Sequence, residues 1–136
     1  MRKNLRPEDL GDLLERQLVA TLATYRRSGD VLLSPVWHEW RDGGFNVVTG
    51  GRDIKVQHLR HDPRAGIVVY EHEPPYRGIE IRCHARLETA GDAVRRIAVR
   101  YLGEDDGAAY ADTAGDDTLI RLEPGVLRAW DFADQL

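Results

Sequence analysis

Residues 45–63, FNVVTGGRDIKVQHLRHDP, form the stretch around which the chain is organised. Phe45–Val48 is predicted to be a short apolar strand, and Thr49–Arg52 a tight turn, because successive glycines reach backbone conformations that are closed to other residues. A short helix is predicted from about Asp53 onward. Asp62–Pro63 ends this helix, since the residue before a proline is driven out of helical geometry. The stretch is therefore a strand, an open turn and a helix in immediate succession.

The start of this helix predicts a binding site for an anion. The first amides of a helix have no partner within it and carry partial positive charge. Arg52, just before the helix, and Lys55, in its first turn, add two cations suited to a phosphate or a carboxylate. Two simpler interpretations stay open: Asp53 caps the helix and repels an anion, or the two glycines form only a turn. The glycine and lysine spacing of a nucleotide-binding phosphate loop is absent.

The composition of the chain narrows its class. With 136 residues, 42% hydrophobic and 31% charged, it is predicted to be one globular domain spanning residues 1–136. No apolar run approaches the roughly 20 residues that cross a membrane, and residues 1–10 lack the apolar core of a secretory signal. The single cysteine, Cys83, excludes an internal disulfide, and these features together predict a cytoplasmic protein without a membrane partner. The net charge of −4 argues against a nucleic-acid partner.

The rest of the chain is predicted to be rich in short strands and to contain few helices. Alternating or continuous apolar runs predict strands, and apolar residues at helical spacing predict helices. The predicted strands are 18–25, 31–41, 45–48, 65–70, 78–88, 118–122 and 126–132; the predicted helices are 6–16, 53–62 and 93–102, with one or two further turns in 104–115. Consecutive strands are joined by turns rather than helices. The predicted fold is therefore mainly β with peripheral helices, an antiparallel barrel that is closed or partly closed.

The second predicted strand carries features that are unusual for a strand interior. Ser34-Pro35 lies in its middle, and because proline donates no ladder hydrogen bond, this side should be a sheet edge, a bulge or a rim facing a ligand. Trp37 and Trp40 are three residues apart and therefore point to opposite faces. One indole is expected in the core and the other against a partner or a flat ligand. His38 and Glu39 are expected to be exposed strand residues.

Two other groups of reactive side chains are expected to be inert. The segment 78–88 alternates apolar and polar residues and places Cys83 on the apolar face, where a buried hydrophobe is expected rather than a nucleophile. His58 and His61 lie three residues apart in the short helix, and no third ligand follows at a suitable spacing. Exposed histidines are therefore expected there rather than a metal site.

Three segments give the chain a resemblance to a known family. They are Ser-Pro-Val-Trp at 34–37, Lys55 followed by Leu59 and Asp-Pro-Arg, and Pro-Tyr-Arg at 75–77. In order and spacing they resemble the pyridoxamine 5′-phosphate oxidase-like split β-barrel flavoproteins, and within that family the flavin/deazaflavin oxidoreductases that use coenzyme F-420. The resemblance covers about Leu18–Leu87 and, more loosely, the tail from Arg100 to Phe132.

The resemblance implies a split β-barrel homodimer with two cofactor sites, for coenzyme F-420 or alternatively FMN, at the subunit interface. In such enzymes the cofactor carries the hydride chemistry and the protein binds and orients it, so no protein nucleophile is implied. Hydride would pass to a conjugated or quinone-like acceptor, with Tyr76 or His38 as candidate proton donors. The implied cofactor contacts are Thr49, Gly50, Arg52 and Lys55 for the phosphate, Ser34, Pro35, Val36 and Trp37 for the ring, and Tyr76 and Arg77 from the second subunit.

Three functions stay open at this point. The resemblance favours a reductase dependent on coenzyme F-420, and the same barrel holding FMN as an oxidase or reductase is the first alternative. The second alternative is a non-enzymatic cofactor carrier, or a module that senses haem or flavin. Candidate haem ligands are His58, His61, His72 and His84. The family pattern has a glycine where Cys83 stands and commonly an aromatic residue at His38.

Overall fold

The structure, a computed structural model, describes residues 1–136 and contains nine strands and three α-helices. The strands are β1 (Ala20–Tyr25), β2 (Val31–Val36), β3 (Glu39–Arg41), β4 (Gly44–Gly50), β5 (Arg64–Tyr70), β6 (Gly78–His84), β7 (Arg86–Thr89), β8 (Asp117–Leu122) and β9 (Val126–Trp130). The helices are α1 (Ile54–His61), α2 (Ala93–Leu102) and α3 (Glu104–Thr113). None of these helices has the length and apolar character needed to span a bilayer.

The strands form two antiparallel sheets. The five-stranded sheet has the order β2-β1-β5-β6-β9, and the four-stranded sheet has the order β3-β4-β8-β7. Both sheets contribute side chains to one core, but they do not join into a closed barrel. The predicted fold class is confirmed: the protein is a mainly β, antiparallel split barrel with peripheral helices.

Two long segments pass from one sheet to the other. The predicted strand 31–41 divides into β2 and β3 at Trp37-His38, and the predicted strand 78–88 divides into β6 and β7 at Ala85. At each crossing the backbone leaves one ladder before it enters the next. These divisions raise the number of strands from the predicted seven to nine.

The core lies between the inner faces of the two sheets. Sixteen buried apolar side chains form one cluster, in which Phe45, Ile67 and Ile120 are almost completely enclosed. Burying a side chain of this size contributes about 1.5–3 kcal/mol. Trp40 packs against this cluster, and its ring meets Phe45 edge-on with centroids 4.9 Å apart, as expected for one of the two strand tryptophans. A smaller cluster, where Ala93 meets Leu119, holds α2 on the four-stranded sheet.

The N-terminal segment differs from the predicted helix over residues 6–16. It forms two 3₁₀ turns, Pro7–Leu10 and Leu13–Glu15, separated by Gly11. Gly11 has φ +60°, and a Cβ atom there would lie 2.9 Å from Arg77 Nη1. The close approach of the Arg77 side chain therefore requires a glycine that interrupts the helix, while the leucines on either side still pack into the core.

Glu39 is buried, so the expectation that it is exposed is wrong. Helix α2 covers it: Arg96 Nη2 donates to Glu39 Oε1 at 2.8 Å, and Asn46 Nδ2 donates to the same oxygen at 3.0 Å. Burial raises the pKa of Glu39, but the hydrogen bonds from Arg96 and Asn46 outweigh burial and hold it below its usual value. This ion pair between the buried carboxylate and the partly exposed Arg96 fixes α2 against β3 and β4.

His38 is also buried where the sequence predicts exposure. Its side chain has no exposed surface and neither ring nitrogen has a hydrogen-bond partner. The ring meets Phe45 and Tyr101 edge-on, with centroids 5.3 Å and 6.3 Å away. Burial, with a smaller effect from the Arg100 guanidinium, lowers the pKa of His38 to about 4. A neutral imidazole sealed in this way has no path to a bound ligand.

Acidification is expected to destabilise the protein through His38. Its pKa is about 4 in the folded state and 6.5 in the unfolded chain, so the unfolded chain binds more protons between these values and is favoured as the pH falls. Lowering the pH from 7 to 5 should cost about 2 kcal/mol of unfolding free energy from this residue. Urea denaturation should show this loss in the wild type and in His61→Leu, an exposed-histidine control, but not in His38→Leu. An equal loss in His38→Leu would contradict the assignment.

Candidate functional site

Of the two cations predicted at the start of α1, Lys55 is paired with a carboxylate and Arg52 is not. Asp53 caps the helix: its carboxylate accepts a hydrogen bond from the Lys55 amide at 2.9 Å and pairs with Lys55 Nζ at 3.0 Å. Burial raises the pKa of Asp53, but the hydrogen bonds from Lys55 bring it below its usual value. The capping interpretation is therefore confirmed. Arg52, in contrast, is exposed, and its guanidinium has no partner in the chain.

The amides at the start of α1 are mostly used within the chain. The Asp53 amide bonds to the Gly50 carbonyl at 3.0 Å, the Lys55 amide to the Asp53 carboxylate at 2.9 Å, and the Val56 amide to the Asp53 carbonyl at 3.1 Å. The expectation that the first amides of the helix are open to an anion is wrong for these three. An anion at this place depends mainly on the side chains of Arg52 and Lys55.

The two glycines before α1 differ in the space around them. A Cβ atom at Gly51 would lie 3.0 Å from the carbonyl oxygen of Asp116, which also accepts the Gly51 amide at 2.8 Å. A Cβ atom at Gly50 would meet no heavy atom within 4 Å. Gly51 therefore closes the turn against Asp116, whereas Gly50 leaves open space in which a ligand can approach the backbone.

Residues 34–37, the segment expected to contact the cofactor ring and called the ring segment below, begin on β2. This strand lies at the edge of the five-stranded sheet, so the edge predicted from Ser34-Pro35 is confirmed. Ser34 lies opposite the fully buried Leu22, and Ser34 and Val36 therefore face the core. Pro35 lies opposite Thr21 on the outer face and is exposed. This strand offers a ligand an open backbone edge and the Pro35 ring, rather than a continuous row of side chains.

Trp37, the last residue of the ring segment, is covered by α2 and α3. Its ring stacks on Tyr101 with centroids 5.0 Å apart and 5° between the planes, and Tyr110 lies 5.9 Å away. Tyr101 is fixed in place, since its hydroxyl donates to the Leu18 carbonyl at 2.7 Å and accepts the His38 amide at 3.1 Å. One face of the Trp37 indole is therefore closed to a flat ligand.

A recess of about 140 Å³ places Trp37 beside Thr49 and Gly50. The recess thus brings Trp37 of the ring segment next to Thr49 and Gly50, two of the four residues expected to contact the cofactor phosphate. Its other lining residues are Val48, Val94, Ile97, Ala98, Tyr110 and Asp117. The recess has less than half of the roughly 300 Å³ at which small-molecule sites usually begin. A tricyclic ring does not fit inside it and would have to lie outside, along the β2 edge.

The loop before β6 carries the remaining predicted pair. Arg77 is held by its own chain: it pairs with the buried Glu71, bonds Asp12 Oδ1 at 2.8 Å and donates to the Leu10 carbonyl at 2.7 Å. Tyr76 is 42% exposed and has φ +57°, a conformation that costs a non-glycine residue about 1–2 kcal/mol. The Arg77 contacts therefore fix the loop, and Tyr76 is one of its exposed side chains.

The sequence analysis did not predict the apolar groove on the outer face of the five-stranded sheet. It contains a groove of about 660 Å³, lined by Thr21, Ala23, Tyr25, Leu33, Arg64, Ala65, Gly66, Ile67, Val68, Glu80, Arg82, Cys83, His84, Glu123, Pro124 and Gly125. Four large apolar side chains of this face are between 47% and 63% exposed: Val31, Leu33, Tyr70 and Val126. The sequence did contain a sign of this apolar face: apolar residues also occupy the outward-facing strand positions, which alternate with the positions facing the core. Such a face differs from the charged outer face of an isolated barrel.

The candidate metal and haem ligands do not come together. No group of three or more histidine, cysteine, aspartate or glutamate side chains is arranged to hold a metal. His58 is buried, contrary to expectation, and its Nδ1 lies 3.0 Å from Thr24 Oγ1. The other candidate haem ligands, His61, His72 and His84, are exposed. Cys83 packs against the core as predicted, and burial raises its pKa to about 11.

Comparison with known proteins places this architecture. No curated protein matches the chain in sequence, but the family model described as pyridoxamine 5′-phosphate oxidase matches residues 7–131. A conserved hypothetical protein of Mycobacterium tuberculosis is similar in structure, with a TM-score of 0.80, 23% identity, and coverage of 94% of this chain and 86% of that chain. A structure described as an F420 reductase has a TM-score of 0.72 and 24% identity, and the match covers 90% of this chain and 98% of that chain. The haem storage protein HutZ of Vibrio cholerae has a TM-score of 0.67 and 17% identity, and the match covers 89% of this chain and 92% of that chain.

These three structural likenesses, each below 25% identity, establish the fold and not the activity. The family match carries more, because it extends from the first 3₁₀ turn to the residue after β9. It therefore includes the β2 edge, the start of α1 and the Tyr76 loop. The chain belongs to the pyridoxamine 5′-phosphate oxidase-like family of split β-barrel proteins.

Proposed function

We propose that the protein is an oxidoreductase that binds a flavin-type cofactor, namely coenzyme F-420, with FMN as the alternative. The observation that carries the proposal is the junction at Trp37, where the ring segment meets Thr49 and Gly50 directly before the two cations of α1. A deazaflavin or a flavin presents a phosphate and a flat ring, and these two neighbouring segments suit its two ends. Membership of the family supports a cofactor of this type.

The residues before and at the start of α1 fit a phosphate. Gly50 leaves the backbone open, and the exposed guanidinium of Arg52 is free to form charge-assisted hydrogen bonds. Lys55 would be shared between the phosphate and Asp53, since its ammonium already lies 3.0 Å from the Asp53 carboxylate. Asp53 thereby orients Lys55, and it also places one negative charge close to the ligand. Arg52 is for this reason the stronger of the two anchors.

In this proposal a bound cofactor supplies hydride transfer, and the protein binds it, orients it and limits access to it. The open edge of β2 beside Pro35 would hold the ring. Because Tyr101 covers one face of the Trp37 indole, a cofactor ring could not stack on that face. The surface available to the ring is therefore the edge of β2. A conjugated or quinone-like compound would be the hydride acceptor. The Tyr76 hydroxyl, approaching from a second copy of the chain, is the candidate proton donor.

A homodimer formed through the outer face of the five-stranded sheet completes the proposal. Arg64 stacks over Tyr25 at 4.6 Å and Arg128 over Trp130 at 4.7 Å on this face, beside its four exposed apolar side chains. Arginine and aromatic residues of this kind are enriched in the buried parts of interfaces, and a contiguous apolar patch marks an interaction surface. Pro35 lies on the same face, so a second copy packed there would border the ring segment.

The two alternatives are supported unequally. FMN also presents a phosphate and a flat ring, so Arg52 and Lys55 serve it equally well. A haem-binding module has the same fold in HutZ, but here His58 is engaged with Thr24, and no group of three or more histidine, cysteine or acidic side chains is arranged to hold a metal. The structure therefore offers more to a phosphate-bearing cofactor than to haem.

Removing either cation should weaken cofactor binding. Arg52→Ala and Lys55→Ala are each expected to raise the Kd for coenzyme F-420 by about ten- to a hundredfold, the loss of one charge-assisted contact. Fluorescence titration of the deazaflavin measures the Kd, and the melting temperature should change little. Arg95→Ala removes an exposed, unpaired arginine from α2 and is the matched control. Unchanged affinity in both variants, or an equal loss in the control, would contradict the proposed phosphate site.

A charge on the outer face should separate the dimer. Leu33 is 63% exposed there, and Leu33→Glu is expected to convert the protein to a monomer because the carboxylate would be buried without a partner. Light scattering coupled to size exclusion gives the mass directly. Leu102→Glu, at a leucine 39% exposed on α2, should leave the dimer intact. A monomeric wild type, or a dimeric Leu33→Glu protein, would show that this face is not the interface.

A further inference from the structure

Asp117 carries a carboxylate that has no partner within the chain. Most of the aspartate and glutamate side chains form ion pairs. Those that form none are exposed, with the exception of Asp117, the first residue of β8, which is half-buried. A half-buried carboxylate without a donor has lost part of its hydration without compensation. Its position therefore calls for a physical explanation.

The Asp117 carboxylate lies beside open space. Asp117 is paired with Gly50 in the ladder between β4 and β8, and paired Cα atoms in such a ladder are about 4.5–5.5 Å apart. A Cβ atom at Gly50 would meet no heavy atom within 4 Å, so no protein side chain separates this glycine from its surroundings. Both residues line the recess of about 140 Å³ beside Trp37. A ligand that approaches the Gly50 backbone is thus within reach of the carboxylate.

The charge of Asp117 decides which part of a ligand is favoured next to Gly50. Phosphate oxygens are negatively charged acceptors, and a carboxylate about 5 Å away repels them. A hydroxyl group, in contrast, donates to a carboxylate in a charge-assisted hydrogen bond. The phosphate is therefore favoured further along the turn, at Arg52 and Lys55. A neutral hydrogen-bond donor is favoured next to Gly50.

The remaining surface of the recess suits a short carbon chain. Val48 from β4 and Val94, Ile97 and Ala98 from α2 line it with apolar side chains. The recess is too small for a tricyclic ring, but a flexible chain of a few carbon atoms requires much less space. A chain that fits both sides of the recess has carbon atoms towards α2 and hydroxyl groups towards Asp117. This is the chemistry of a polyol.

We propose that the recess binds the polyol linker of the cofactor and that Asp117 recognises its hydroxyl groups. The inference rests on the proposed function and adds to it the chemistry of the part between the phosphate and the ring. The linker joins the phosphate at Arg52 to the ring at the β2 edge, and the recess lies between these two places. Asp117 is thereby a specificity-determining residue, which favours a hydroxylated linker over a plain alkyl linker.

Two synthetic deazaflavin phosphates that differ only in the linker test the inference. One carries a ribityl chain between ring and phosphate, and the other a plain five-carbon alkyl chain. In fluorescence titrations the wild type is expected to bind the ribityl compound about tenfold tighter, the value of one charge-assisted hydrogen bond. Asp117→Ala should lose this preference. Because the repulsion of the phosphate is also removed, it should bind the alkyl compound about two- to fivefold tighter than the wild type does.

Two further variants control for the fold and for the general loss of a negative charge. Asp117→Asn keeps an acceptor oxygen and the size of the side chain, and should retain part of the preference. Asp112→Ala removes another unpaired carboxylate, which is exposed on α3 and does not line the recess, and should retain all of it. Circular dichroism shows that each variant is folded.

The adverse outcomes separate this inference from the proposed function. Equal affinity of the wild type for both compounds, or an undiminished preference in Asp117→Ala and Asp117→Asn, would overturn the role of Asp117. Either result would leave the phosphate site standing, since Arg52→Ala tests that site independently. No binding of either compound to the wild type would overturn both proposals.

Discussion

The structure depends on the passage of two strand segments from one sheet to the other. Each segment belongs to both ladders, so the sheets share a core without closing a barrel. At the crossing between β2 and β3 the chain leaves its ladder, and Trp37 projects beside Thr49 and Gly50. The recess beside Trp37 is thus a consequence of how the barrel is split. Helix α2 keeps this crossing in place, because Arg96 bonds the buried Glu39 and Tyr101 stacks on Trp37.

Local patterns in the sequence were sufficient for the fold class and for the position of most strands. Period-two alternation is a property of neighbouring residues, and Pro35 predicted a sheet edge, a bulge or a ligand-facing rim, of which the structure shows the edge. The burial of His38 and Glu39 could not be read in the same way, since the helix that covers them lies more than fifty residues further along the chain. The broken N-terminal helix has a similar origin: Gly11 makes room for Arg77, a distant side chain that no local pattern reveals.

The candidate site shows the same division between local and distant causes. The strand, turn, cap and helix of residues 45–63 follow from local chemistry, and the structure contains them. The pairing of Lys55 with Asp53 makes the site less cationic than two free side chains would be. Two further arginines without a partner, Arg26 and Arg27, lie in another part of the chain, the turn between β1 and β2. The packing of α1 beside that turn places Arg26 and Arg27 across a groove from the helix.

The central claim is that the open turn before α1 anchors the phosphate of a flavin-type cofactor. Parallel titration of the purified protein with coenzyme F-420 and with FMN, followed by fluorescence, tests it most directly. The account predicts saturable binding of coenzyme F-420 in the micromolar range or below, with one cofactor for each chain. Tighter binding of FMN would overturn the preference for the deazaflavin. Failure of both cofactors to bind at tens of micromolar would contradict the account as a whole.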